Sequence, residues 1–217
     1  MKEWKREDRF FQLRTPWAAF FGEHLIDDKG ARLEYYRVEK ADSVIVVPVQ
    51  GDRLLFPKNQ YRPGAGKVTL DFPGGRVDEK RGVAASAARI IEKELGIPAE
   101  PAGAARPAAT TETSASAGST ASHGVASAPG PASGGKAAVE LLSPRGYLIN
   151  SSFSDQRQFN AIARIPEDMR IPDEYLGTVR ALEDEDIVAL LSELECAQCR
   201  LALYEFLRSQ ELPSKLS

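Results

Sequence analysis

The sequence predicts an α/β fold, and three observations carry that reading. The β-branched run VIVVPV at 44–49 has the composition of a strand buried on both faces. Residues 70–97, LDFPGGRVDEKRGVAASAARIIEKELGI, pass from strand alternation through a glycine loop into one amphipathic helix. Near the C-terminus, Ile187, Leu190, Leu191 and Leu194 recur at helical spacing, as do Leu201, Tyr204, Phe206 and Leu207.

In chain order, residues 1–30 read as an N-terminal arm. Its aromatic residues Phe10, Phe11, Trp17, Phe20 and Phe21 read as anchors that dock it on the domain; a dimer surface or a base-stacking platform are the other readings. Residues 31–217 read as a single domain, opening with strands at about Leu33–Glu39, Ser43–Val49 and Arg53–Gln60. Gly51-Asp52 is a tight hairpin signal. Pro48 favours a strand end or an edge. Lys67–Phe72 leads into Pro73-Gly74-Gly75, which breaks the strand. Two adjacent glycines there permit positive φ or close approach to a ligand. The helix begins near Gly82, with Ala84, Ala88, Ile91 and Leu95 on one stripe. Gly96 and Pro98 end it.

Residues 101–138 are almost wholly Ala, Gly, Ser, Thr and Pro, with Val125 the one large aliphatic and His123 among them. Such a segment buries too little apolar surface to offset its ordering entropy. It reads as a disordered insertion within the domain, because Ala138–Ile165 looks like more of the same sheet, with strands at Gly146–Asn150 and Gln158–Ile165. Thr178–Arg180 reads as a short strand. The acidic run 183–186 then suits a helix N-terminus. Cys196 and Cys199 form a lone C-x-x-C at the start of the last helix. No second pair or suitable histidine completes a zinc set, and the two read as plain thiols.

The stretch from Gly75 to Ile97 resembles the Nudix box: Gly, five residues, Glu, seven residues, Arg-Glu-aliphatic-any-Glu-Glu-any-Gly-aliphatic. Arg89, Ile91, Glu94, Gly96 and Ile97 fall on their motif positions. Arg81, Ile90 and Lys93 stand where the motif has glutamates. Gln60-Tyr61-Arg62 followed by Asp71-Phe72-Pro73-Gly74-Gly75 looks like the pattern of the ADP-ribose and ADP-sugar pyrophosphatase branch. Ser152-Phe153-Ser154-Asp155-Gln156 looks like that branch's GFSDE loop. The resemblance covers about 32–97 and 138–180. It implies a Nudix α/β/α sandwich: a mixed sheet with the box helix on one side and the C-terminal helices on the other.

For the site, the resemblance implies clustered glutamates holding Mg²⁺ on a substrate diphosphate. It implies Glu94 as metal ligand and catalytic group, and Glu174, on the acidic loop 166–177, as a general base. Arg62, Asp71, Gly74, Gly75, Arg76, Arg89, Lys93 and Asp155 are the expected substrate-binding residues, with Asp78 and Glu79 as further acids. A nucleotide-type small molecule is the expected partner, and a homodimer is expected by analogy. On a helix, positions 90, 93 and 94 share a face, and here they are Ile, Lys and Glu. One carboxylate is a poor basis for efficient metal-assisted hydrolysis. The basic set Arg76, Arg81, Arg89 and Lys93 could instead attract a diphosphate without metal. Arg89 and Glu92, at i+3, are spaced for a surface ion pair. Three readings follow: a weakened hydrolase of nucleoside diphosphates linked to another moiety, a nucleotide-binding sensor without chemistry, or a structural protein on this fold.

The totals set the outer limits. At 217 residues the chain is long enough for one domain with a real core. A net charge of −3 makes no case for nucleic acid or an anionic membrane. No segment approaches the roughly 18 apolar residues of a membrane span. The start, MKEWKREDRF, lacks an apolar run. The expected setting is cytoplasmic.

Overall fold

The computed structural model describes residues 2–103 and 135–210. His123, Val125 and most of the predicted insertion lie outside the described residues. Three strands come first: β1 (Lys5–Arg14), β2 (Ala19–Ile26) and β3 (Arg32–Glu39), an antiparallel meander forming a sheet of its own. The boundary drawn at residue 30 therefore falls inside this sheet, because β3 pairs with β2 along its whole length. Of the five aromatic anchors, only Phe21 is buried; Phe10, Phe11, Trp17 and Phe20 stay exposed. Arg9, Arg14 and Arg37 surround the Phe21 ring, with guanidinium carbons 3.8, 5.4 and 4.8 Å from its centroid.

The main sheet is built on β4 (Ser43–Gln50). Then come β5 (Arg53–Pro57), the hairpin β6 (Gln60–Arg62) with β7 (Lys67–Thr69), β8 (Gly74–Arg76) and α1 (Val83–Leu95). They are followed by β9 (Ala99–Pro101), β10 (Ala137–Leu141), β11 (Tyr147–Leu148), β12 (Arg157–Arg164), β13 (Leu176–Ala181), α2 (Asp184–Glu193) and α3 (Ala197–Ser209). The strand order is β13-β5-β4-β12-β10-β9, with β11 on β12 and β8 on β4. β4 runs parallel to β12, β9 runs parallel to β10, and the other pairings are antiparallel. Pro101 and Ala137-Ala138, assigned to the insertion by composition, are strand residues paired across β9 and β10.

The period-two alternation of β4 explains the layering. Val44 and Val46 join the core beneath α1, with Ile91, Leu95, Val139 and Phe159. Ile45, Val47 and Val49 face the other way and join Phe56, Phe72, Ile187, Leu190, Leu203 and Phe206 beneath α2 and α3. The result is the predicted α/β/α sandwich. Pro48 sits in the middle of this sheet, not at an edge. β8 is registered only with 43–45 and β5 only with 49–50. Val46 donates its N–H to Pro73 O (2.9 Å) on that side. Two residues on, the missing N–H of Pro48 falls in the gap between β8 and β5, where it breaks no ladder bond.

Candidate functional site

The glycine pair does something different from what its composition predicts. Gly74 and Gly75 do not break the chain out of the sheet; they are β8, paired with Ile45 and Val44. Neither has positive φ. Their lack of a side chain serves close packing. A Cβ on Gly74 would stand 2.6 Å from Ile45 Cδ1, and one on Gly75 would stand 3.2 Å from Ile90 Cδ1. The isoleucine at a motif glutamate position is thus a packing residue, 8% exposed, turned against the glycine strand. Downstream, α1 ends as predicted: Gly96 adopts φ 67°, and its N–H donates to Glu92 O at 3.1 Å.

Strand β8 and helix α1 wall a cleft of about 300 Å³. Gly74, Gly75, Arg76, Arg89, Lys93 and Glu94 line it, together with Asp78 and Arg81. Six of the expected site residues therefore converge here. A smaller cleft of about 260 Å³ holds Lys93, Glu94 and Glu174, so Glu174 does reach the end of α1. Glu94 is the hinge between the two. Burial raises its pKa above the usual glutamate value, opposed by the charges of Arg62 and Lys93 and by the Gly74 N–H. Its Oε2 is buried and has no hydrogen-bond partner. Arg81 is tied to Asp78 at 3.2 Å. Arg76 leans toward the N-terminal sheet: Nη2 donates to Pro16 O at 3.3 Å, and the guanidinium lies 5.3 Å from the Trp17 ring centroid. Glu79 lies on that side as well, in a separate recess with Trp17 and Arg76. Among the described residues, no ion pair joins Arg89 to Glu92.

Arg62 and Asp71 lie on the other side of the glycine strand, in a cavity of about 660 Å³. Arg62 Nε donates to Asp71 Oδ2 at 2.7 Å, and Thr69 Oγ1 donates to the same oxygen at 2.7 Å. This arginine is thus partnered within the protein by the acid that follows it nine residues later. Cys196 and Cys199 line the same cavity. The Cys199 thiol donates toward Asp71 Oδ1 at 3.7 Å. Cys196 occupies the N-cap position of α3, without a side-chain capping bond. Its thiol is held down to about 6 by the Cys199 hydrogen bond and by the N–H groups of Cys199 and Gln198. Cys199 is shifted the opposite way, upward, by its proximity to Cys196 and by burial. Both are free thiols, as expected from the sequence. The C-x-x-C was visible in the chain, but the approach of Asp71 was not.

Asp155 is not part of either group. It accepts the Lys40 N–H at 3.2 Å, while Phe153 O accepts the Val38 N–H at 2.8 Å and Ser152 O accepts the Tyr35 hydroxyl at 2.6 Å. The 152–156 loop thereby fastens the main sheet to β3.

The donors around Glu94 do not make a resident magnesium site. Positions 90 and 93 supply a buried methyl group and a cation. Among the described residues, the one grouping of three metal-competent donors is Asp71, Cys196 and Cys199, which does not include Glu94.

No family model and no curated protein matches the sequence. A solved structure of an ADP compounds hydrolase aligns with 98% of this chain and 98% of its own, at a TM-score of 0.65 and 16% identity. At that identity the likeness is one of fold, an α/β/α sandwich with a mixed sheet.

Proposed function

We propose that this protein engages a nucleoside diphosphate linked to a second moiety, of the ADP-ribose or ADP-sugar class, along the cleft between β8 and α1. Its hydrolysis of that ligand is far slower than a full carboxylate cluster would support. The observation that carries this reading is the lining of the cleft. Arg76, Arg81, Arg89 and Lys93 line one cleft beside the glycine strand. Guanidinium groups recognise phosphate oxygens in pairs, and a lysine adds a point charge. The protein aligned above, an ADP compounds hydrolase, supports the ligand class.

A second reading, metal-assisted turnover, rests on Glu94. Its unpartnered Oε2 is the one carboxylate oxygen on this helix left without a hydrogen bond in a buried position. A magnesium ion carried in by the diphosphate needs only one or two protein carboxylates. Titration of ADP-ribose into the protein, in magnesium and then in EDTA, with the mixture analysed for AMP, separates the readings. Heat in both buffers with little AMP supports a binder with slow turnover. AMP in magnesium alone, lost in Glu94→Gln, supports the metal-assisted reading. Absence of both heat and AMP removes this ligand class.

A further inference from the structure

We propose that Cys196, Cys199 and Asp71 form a three-ligand site for a zinc-class divalent cation, with the fourth coordination position facing the cavity they line. The two sulfurs and a carboxylate oxygen lie within 4.8 Å of one another. Two thiolates with one carboxylate suit a borderline-soft ion such as Zn²⁺ and not a hard ion such as Mg²⁺. Three protein ligands with an open fourth position is the arrangement of exchangeable rather than purely structural zinc sites.

The surroundings hold the ligands in place. Asp71 spends Oδ2 on Arg62 and Thr69, both at 2.7 Å, which turns Oδ1 toward Cys199. Outer hydrogen bonds of this kind orient a ligating carboxylate. The start of α3 is fastened by Gln158, whose Nε2 donates to Gln198 O at 2.8 Å, between the two cysteines. Cation entry requires both thiols to release their protons to solvent, so affinity falls as pH falls. The cavity adjoins the cationic cleft at β8, since Gly74 and Gly75 line both. The site is tested by metal binding alone, without nucleotide, so its failure is distinguishable from failure of the nucleotide reading.

The test uses the full chain, reduced and stripped with a chelator, then titrated with Co²⁺ under anaerobic conditions. The expected result is a thiolate-to-cobalt charge-transfer band that saturates at about one equivalent and collapses when Zn²⁺ is added. Cys199→Ser abolishes the band. Cys196→Ala, at a half-buried position that tolerates truncation, also abolishes it and leaves ADP-ribose titration unchanged. Asp71→Asn weakens cobalt binding by about tenfold or more. Absence of the band in reduced wild-type protein overturns the proposal, as does an equal band in Cys196→Ala. Isolation of a Cys196–Cys199 disulfide that, once reduced again, still binds no cobalt overturns it in favour of a redox pair.

Discussion

Glu94, Ile90 and Lys93 show how three positions on one helix face take three different roles. Glu94 keeps a carboxylate in a half-buried setting where desolvation favours its neutral form. A raised folded pKa means stability that is full below the ordinary glutamate range and lost as pH rises through the folded value. Glu94→Gln is therefore expected to raise the melting temperature at neutral pH, by calorimetry, while removing any magnesium-dependent AMP release. Lys93 is exposed, so Lys93→Glu should fold normally and strengthen magnesium binding in the presence of ADP-ribose, read by titration. Ile90→Glu should not behave this way. Its side chain fills the space left by Gly75, and a carboxylate there costs about 2–3 kcal/mol of stability by chemical denaturation. The three missing glutamates are thus not equivalent: Arg81 and Lys93 are surface charges, and Ile90 is part of the core.

At the scale of elements, α3 shows how buried polarity positions a helix. Tyr204, expected on its apolar face, is exposed, and Glu205 is buried instead. Glu205 accepts the Tyr147 hydroxyl and the Asn160 amide, the latter at 2.6 Å, and Gln158 continues the chain to Asn160 Oδ1 at 2.6 Å. These bonds tie α3 to β11 and β12 and fix where its N-terminal cysteines lie. Glu205→Ala leaves the buried Asn160 amide unsatisfied and should cost about 1–3 kcal/mol; urea unfolding measures it. The bulge of β13 gives a second check. A Cβ on Gly177 would meet Pro57 O at 2.4 Å, so Gly177→Ala should destabilise by about 2 kcal/mol in the same assay.

At the scale of the whole molecule, the N-terminal meander and the sandwich are joined by few groups: the 152–156 loop on β3, and Arg76 on the loop between β1 and β2. Within the meander, Glu23 is the electrostatic centre, bonded by Arg37, Arg9 and Arg6. The Arg37 hydrogen bond leads in holding its carboxyl down to about 2, against its own desolvation. With the folded value below the ordinary one, this stabilisation is present above about 4.5 and fades as pH falls toward 2. Acid titration followed by tryptophan fluorescence should show a loss of the meander in that window, absent from Glu23→Gln, which is already weakened at neutral pH.

Periodicity and punctuation settled much from the sequence alone. The β-branched run of β4, the glycine caps of α1 and the apolar stripes of α2 and α3 are local signals, because burial on a regular element repeats with its period. The cleft residues 74–94 were legible for the same reason: they sit on one strand and the helix that follows it. Tertiary structure decided everything that depends on distant partners. It showed that β3 belongs with the arm, since strand pairing is a contact between segments. It showed that Gly74 and Gly75 make room for Ile45 and Ile90, since a steric need is visible only with both sides present. It set Asp155 apart from the cleft and brought Asp71 to Cys196 and Cys199. That last convergence is 128 residues long in sequence and 3.7 Å across in space, and no local pattern encodes it.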